Sequence, residues 1–256
     1  WQRGPAPVVE DATFVPLNDA RRYHVTLEPS NKPWMPALEL PAVRLRGTTF
    51  RADFTLEHRE PIRERLNYTL TSYTRYKTGA LEIAERVRGL QLPGHSSPRA
   101  RALAAQWERE HSEPQRIAQA ALDHFRRENF VYTLSPPLLG DDPVDEFLFD
   151  TRRGFCEHYA SAFVALMRAA GIPSRVVVGY LGGEFNTAGN YLIVRQSDAH
   201  AWAEIWLADR GWVRVDPTGA IAPERIELGL DAVRRLEQQG LTLGSLSNEA
   251  VLRALE

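Results

Sequence analysis

Cys156 is the only cysteine in this 256-residue chain, and its setting suits a nucleophile. The stretch Asp150-Thr151-Arg152-Arg153-Gly154-Phe155 reads as a loop. A helical pattern follows directly, with Ala160, Phe163, Val164 and Met167 as its apolar stripe. Gly171 and Pro173 end that pattern, glycine as a left-handed cap and proline as a stop. A thiol at the head of such a helix faces unpaired backbone N–H groups and the positive end of the helix dipole. Arg152 and Arg153 lie within four residues of it. All of these favour the thiolate, the nucleophilic form. Free cysteine is also among the residues most often simply buried, so position alone leaves both readings open.

A reactive thiol needs a base, and the base needs an orienting group. Of the seven histidines, His200 heads a strand-like run behind the polar loop Gln196-Ser197-Asp198-Ala199, and Asp216 ends the next run. If Leu207–Gly211 connect the two, Trp206 pairs with Trp212 and Asp216 falls opposite Trp202. His200 is then a diagonal neighbour of Asp216 on the same face, at ~7–8 Å between Cα atoms, a gap one hydrogen bond can bridge. A four-residue connection would instead pair Leu207 with Trp212 and mismatch the two side chains. The plainer alternative is a strand-edge histidine and a turn aspartate before Pro217. On His200's own face, Trp202 and Trp206 either form a water-excluding wall or pack the sheet.

Metal chemistry is a poor fit. Cys156, His158, His200 and Asp216 are all zinc-ligand types, but positions i and i+2 on a helix point about 200° apart, so Cys156 and His158 do not share an ion easily. One cysteine allows neither an intrachain disulfide nor a thiolate-rich zinc site. No clustered acidic loop suggests calcium. No metal and no cofactor is expected.

The elements that must position these residues are legible in outline. Residues 22–28, 49–57 and 67–76 carry aromatic and β-branched residues in partial alternation, and Pro29, Pro33, Pro36 and Pro41 punctuate the stretch between the first two. A β-rich domain over 1–90 follows. Gln91–Pro98 reads as a linker. Helices are expected over 98–110, from Ser112 as N-cap with Pro114 in the first turn, and over about 155–170. Strand-like runs then occupy 175–181, 191–196, 201–207 and 212–216, with the glycine-rich Gly182–Asn190 as either a lid or a hairpin tip. Helices followed by hairpin-linked strands indicate an α+β fold. The core is placed at 91–228, and a C-terminal helical tail at 229–256, with short amphipathic helices around 231–238 and 247–255.

Composition narrows the rest. With 43% hydrophobic residues and 24 aromatic side chains the chain folds around a core. Thirty-one basic against 33 acidic residues give no reason to expect nucleic acid or an anionic membrane as partner. No apolar run reaches the ~18 residues of a membrane span. The chain begins at Trp1 without a signal-peptide pattern, which reads as a piece of a longer protein.

Three sequence blocks carry a resemblance. They are Gly154-Phe155-Cys156-Glu157-His158-Tyr159-Ala160, with Ala170-Gly171-Ile172-Pro173-Ser174-Arg175 and Gly179-Tyr180 behind it; then Ser197-Asp198-Ala199-His200-Ala201-Trp202-Ala203-Glu204; then Gly211-Trp212-Val213-Arg214-Val215-Asp216-Pro217-Thr218. Together, in the order Cys…His…Asp over roughly residues 115–220, they resemble the transglutaminase-like core superfamily. The β-rich segment ahead of them resembles the periplasmic domain of TgpA-type bacterial inner-membrane proteins. What this implies is a papain-like α+β fold, the nucleophile helix packed on an antiparallel sheet that carries the other two residues. It implies Cys156 as nucleophile, His200 as general base and acid, and Asp216 as the group orienting the imidazole. The chemistry implied is protein-glutamine gamma-glutamyl transfer: a thioester from a glutamine carboxamide, resolved by a primary amine. Tyr132 and Trp202 are the candidates for holding the oxyanion or substrate. Glutamine-bearing proteins or peptides, amine acceptors and cell-wall components are the implied partners, in the periplasm. One departure is Glu157, where animal transglutaminases have tryptophan. Two alternatives stay open: a cysteine peptidase or amidase with water as acceptor, and a non-catalytic binding module.

Overall fold

The computed structural model describes residues 8–9, 14–42, 44–94 and 96–222. The helical tail expected at 229–256 lies outside them. The chain divides into two compact units between Ala80 and Leu81.

The first unit is built from short antiparallel strands: β1 (Val8–Val9), β2 (Phe14–Pro16), β3 (Arg21–Leu27), β4 (Leu40–Pro41), β5 (Thr48–Arg51), β6 (Leu56–His58), β7 (Leu66–Tyr73) and β8 (Tyr76–Thr78). They form three small sheets, in the orders β1-β5-β6, β3-β7-β4 and β2-β8. The prolines break the chain into short segments. Pro41 sits on β4, at the edge of its sheet, where its missing N–H disturbs no ladder. Met35, Phe50, Leu56, Ile62 and Leu70 form this unit's buried centre.

The second unit opens with α1 (Ile83–Gly89), followed by α2 (Pro98–Glu110) and α3 (Pro114–Arg127). The boundary thus falls about ten residues before the expected one, because Glu85 on α1 is tied to this unit's sheet: it accepts from Trp212 Nε1 at 2.9 Å and lies 3.5 Å from the Arg175 guanidinium. α3 starts at Pro114 with Glu113 before it, not with Ser112 as cap. The start of α2 is capped from afar. The Asp145 carboxylate accepts from the N–H groups of Arg99 and Ala100, and Asp142 takes the Ser97 N–H and hydroxyl.

The segment Asp150–Phe155, expected as loop, is more ordered than that. After β9 (Val131–Tyr132), α4 (Pro143–Asp145) continues as a π-helical turn over Glu146–Thr151, and β10 (Arg153–Gly154) pairs parallel with β9. Then α5 (Cys156–Ala169) runs through the middle of the unit, buried nearly all round, as expected of a helix apolar on most faces. It packs on α2 and α3 and on the strands β11 (Ser174–Tyr180) and β14 (Ala199–Leu207). The remaining strands are β12 (Glu184–Asn186), β13 (Tyr191–Ile193) and β15 (Gly211–Val215). The antiparallel sheet has the order β11-β14-β15, and β12 and β13 form a separate hairpin. Tyr191–Ile193 therefore does not join the main sheet, and Gly182–Asn190 contains a strand of its own. No helix among the described residues is long and apolar enough to cross a membrane.

Candidate active site

Cys156 is the first residue of α5. Phe155 before it is extended and offers no side-chain cap, and no helix supplies an intrahelical carbonyl to its first N–H groups. The backbone reaches this point through Gly154, held against β9 by the parallel pairing and by the bond from Thr133 N–H to the Gly154 carbonyl at 2.9 Å. A Cβ at Gly154 would stand 2.7 Å from the His158 Cβ and 2.9 Å from the Phe147 ring, so glycine lets the chain pass tightly into α5. Behind the head of the helix, Phe155 N–H donates to His158 Nδ1 at 3.4 Å, and the two rings meet edge to face with centroids 4.5 Å apart. Burial, the largest influence, lowers the pKa of His158 and keeps this acceptor neutral.

Cys156 is buried, with Ala160 from its own helix and Ala201 from β14 against it. Arg152, counted from the sequence as a cation near the thiol, is turned elsewhere. Its guanidinium binds Glu128 at 2.6 Å and lies over the Phe130 ring. The helix start and His200 both favour a thiolate here.

His200 heads the sheet side. It pairs with Gly179 of β11, and β14–β15 adopt the register Trp206↔Trp212 and Leu207↔Gly211. This is the register of the five-residue connection, tightened into a turn at Ala208–Arg210. Gly211, at φ 76°, supplies the left-handed residue such a turn requires. Val215 pairs with Ala203, so Asp216 follows diagonally from His200. The contact forms: His200 Nε2 and Asp216 Oδ2 are 2.7 Å apart, with side-chain exposures of 0% and 13%. The second carboxylate oxygen, Oδ1, accepts from the Thr218 N–H at 3.1 Å. With Nε2 taken by Asp216, Nδ1 is the ring nitrogen left to face the thiol, and it has no other hydrogen-bond partner among the described residues. Burial pulls the His200 pKa down. The hydrogen bonds to Asp216 and Cys156 and the charges of both outweigh it, so the net shift is upward from 6.5. Such a pair stabilises an imidazolium beside a thiolate.

Of the two residues expected to line the site, Trp202 lies beside His200, their rings nearly parallel with centroids 6.3 Å apart. Tyr132 is 1% exposed and stacked on Tyr159; the β9–β10 pairing sets it alongside Gly154, two residues before the thiol. Trp206 is six residues along β14 from His200, roughly 20 Å at strand spacing, so the tryptophan wall reduces to Trp202. Sequence reasoning missed Gly179 and Arg214. A Cβ at Gly179 would stand 2.7 Å from the Trp202 ring, and the Arg214 guanidinium covers that ring at 4.1 Å. The Gly-Tyr and Trp-x-Arg-x-Asp motifs held both residues, but only pairing of distant strands gives them a task.

The chain is similar to several known proteins. Residues 101–217 match the transglutaminase-like superfamily, and residues 1–79 match the TgpA N-terminal domain. A Pseudomonas aeruginosa protein named protein-glutamine gamma-glutamyltransferase is 48% identical over 233 residues, which are 90% of this chain and 35% of that protein. The uncharacterized protein YebA of Bacillus subtilis is 33% identical over 195 residues, 69% of this chain and 26% of YebA. The chain thus spans about a third or less of the length of these two relatives. The crystal structure of the periplasmic domain of TgpA from Pseudomonas aeruginosa superposes with a TM-score of 0.85 at 48% identity, covering 88% of this chain and 80% of that one. With α5 packed on an antiparallel sheet and both segments matched in order, this chain belongs to the transglutaminase-like superfamily, in its TgpA-type branch.

Proposed function

We propose that this chain is the catalytic region of a protein-glutamine gamma-glutamyltransferase. The observation that carries the reading is the set Cys156, His200 and Asp216: a thiol heading α5, an imidazole against it, and a carboxylate 2.7 Å from the imidazole's far nitrogen. The Cys156 thiolate attacks the carboxamide carbon of a glutamine side chain. The His200 imidazolium gives its proton to the departing ammonia, leaving a thioester and a neutral imidazole. A primary amine then attacks the thioester, His200 takes the amine's proton, and the thiolate leaves as an isopeptide bond forms. Asp216 keeps the ring in register and stabilises its charged form. The oxyanion at each step needs preorganised donors; the Cys156 N–H is one, and the Tyr132 phenol beside Gly154 is the candidate for the second. Water in place of the amine would give deamidation through the same thioester.

The likeness to the TgpA periplasmic domain supports a periplasmic place in a bacterial inner-membrane protein, with envelope proteins or cell-wall components as substrates. The catalytic core of this reading starts with α1, after the boundary between Ala80 and Leu81, and no cofactor is assigned. The test is incorporation of a fluorescent primary amine into a glutamine-bearing protein, with released ammonia measured alongside. Cys156→Ala abolishes both signals and leaves the circular dichroism unchanged. Retained activity in that variant would refute the assignment, and ammonia release without amine incorporation would make the enzyme an amidase.

A further inference from the structure

Arg214 lies on β15, opposite Glu204 of β14 and two residues before Asp216. Its guanidinium covers one side of the Trp202 indole at 4.1 Å and reaches to 3.9 Å from Asp216 Oδ2, the same oxygen that holds His200. The indole has little room on β11. Val177 pairs with Trp202 and Gly179 with His200, and Gly179 lacks the Cβ that would stand 2.7 Å from the indole Cη2. The indole in turn lies beside the His200 ring, 23° from parallel. Arg214 thus touches both neighbours of the imidazole, the carboxylate on its edge and the ring beside it, without being placed against the thiol.

We infer that Arg214 is a positioning residue for this site: it pins the Trp202 indole over Gly179 and steadies the Asp216 carboxylate, and so sets the orientation and proton affinity of His200. Cation–π contact with tryptophan is the strongest of its kind, and it strengthens where water is partly excluded. A guanidinium beside Asp216 offsets part of the carboxylate's negative field at the imidazole. The titratable groups acting directly on His200 are Asp216, just after β15, and Cys156, heading α5; Arg214 acts one step behind, through Asp216. Removing its charge leaves the negative field stronger, which stabilises the imidazolium and disfavours the thiolate. Both limbs of a pH profile then move upward together.

The inference rests on the proposed triad, and its test is chosen to be readable without acyl transfer: the pH dependence of Cys156 alkylation by iodoacetamide, beside amine incorporation. Arg214→Gln shifts the alkylation limb upward by about half a pH unit and lowers kcat for incorporation about tenfold with KM little changed. Arg214→Lys, which keeps the charge but not the flat face, restores the pH limb and only part of kcat. Gly179→Ala, which displaces the indole and leaves every charge in place, lowers kcat without moving the limb. Arg214→Gln profiles superimposable on wild type in both assays would overturn the inference. Should wild-type Cys156 alkylate only as an ordinary thiol, the triad reading itself fails, an outcome separate from the first.

Discussion

Replacing Asp216 by asparagine isolates the charge that the site places on His200. The shape is nearly conserved, and the asparagine Oδ1 can still accept from the Thr218 N–H, now 3.1 Å from Asp216 Oδ1. What disappears is a charge-assisted bond of 2.7 Å to a ring whose side chain is 0% exposed. Bonds to charged groups contribute ~1.5–3 kcal/mol, so losing this one lowers the His200 pKa, and ~1.4 kcal/mol corresponds to one pH unit in an activity profile. The sign follows from the mechanism. In the proposed mechanism the proton that leaves with ammonia comes from the imidazolium, and without the carboxylate the imidazolium is lost at a lower pH. The alkaline limb of the kcat/KM profile for amine incorporation therefore moves down by about one to two units. At pH 8 the rate should drop on the order of 10²–10⁴-fold, because the asparagine amide also favours the wrong tautomer. Asp216→Ala should add destabilisation of ~1–3 kcal/mol, since it leaves the buried Nε2 without a partner. The assay is the pH dependence of amine incorporation and ammonia release, with urea unfolding as control for the fold. An Asp216→Asn variant with wild-type rate and an unmoved alkaline limb would refute the reasoning, and Asp216 would then be only the cap of the turn at Pro217–Ala220.

Further outcomes follow from the same geometry. Gly154→Ala puts a methyl 2.7 Å from the His158 Cβ; it should cost ~1–3 kcal/mol in urea unfolding as overpacking and cut activity more than stability, and a fully active variant would show that the head of α5 tolerates movement. Tyr132→Phe keeps the ring stacked on Tyr159 and removes only the hydroxyl, so kcat should fall on the order of 10²-fold at unchanged Tm; unchanged kcat would return Tyr132 to a packing role alone. Stability should fall as pH drops from 7 to 5. Burial lowers the folded pKa values of His124 and His158 below 6.5, so the unfolded chain binds protons there first. The raised His200 acts oppositely, stabilising below 6.5 and losing that contribution as pH rises through its folded pKa. His124→Phe, within the ring cluster of Trp107, Phe125 and Phe130, should flatten the acid slope in urea midpoints measured across pH, and an unchanged slope would remove His124 from the account.

Much of the site could be read from the sequence, because its elements announce themselves over short distances. A stripe at helical spacing, closed by Gly171 and Pro173, locates α5 and puts Cys156 at its head. Two alternating runs and a turn with one suitable glycine locate β14 and β15, and the register that brings Asp216 to His200 was one of two available. Choosing between those registers took the fold, since both satisfy the same local alternation. The tertiary structure alone turned Arg152 toward Glu128, paired Gly154 with Tyr132, capped α2 with carboxylates some 45 residues away, and seated Trp202 between Gly179 and Arg214. It also moved Tyr191–Ile193 out of the sheet into a hairpin with Glu184–Asn186. Periods and turns are properties of neighbours along the chain and are written where they act. Pairings between distant segments are selected by what the whole core can bury and which polar groups it must satisfy, and no single stretch of sequence records that choice.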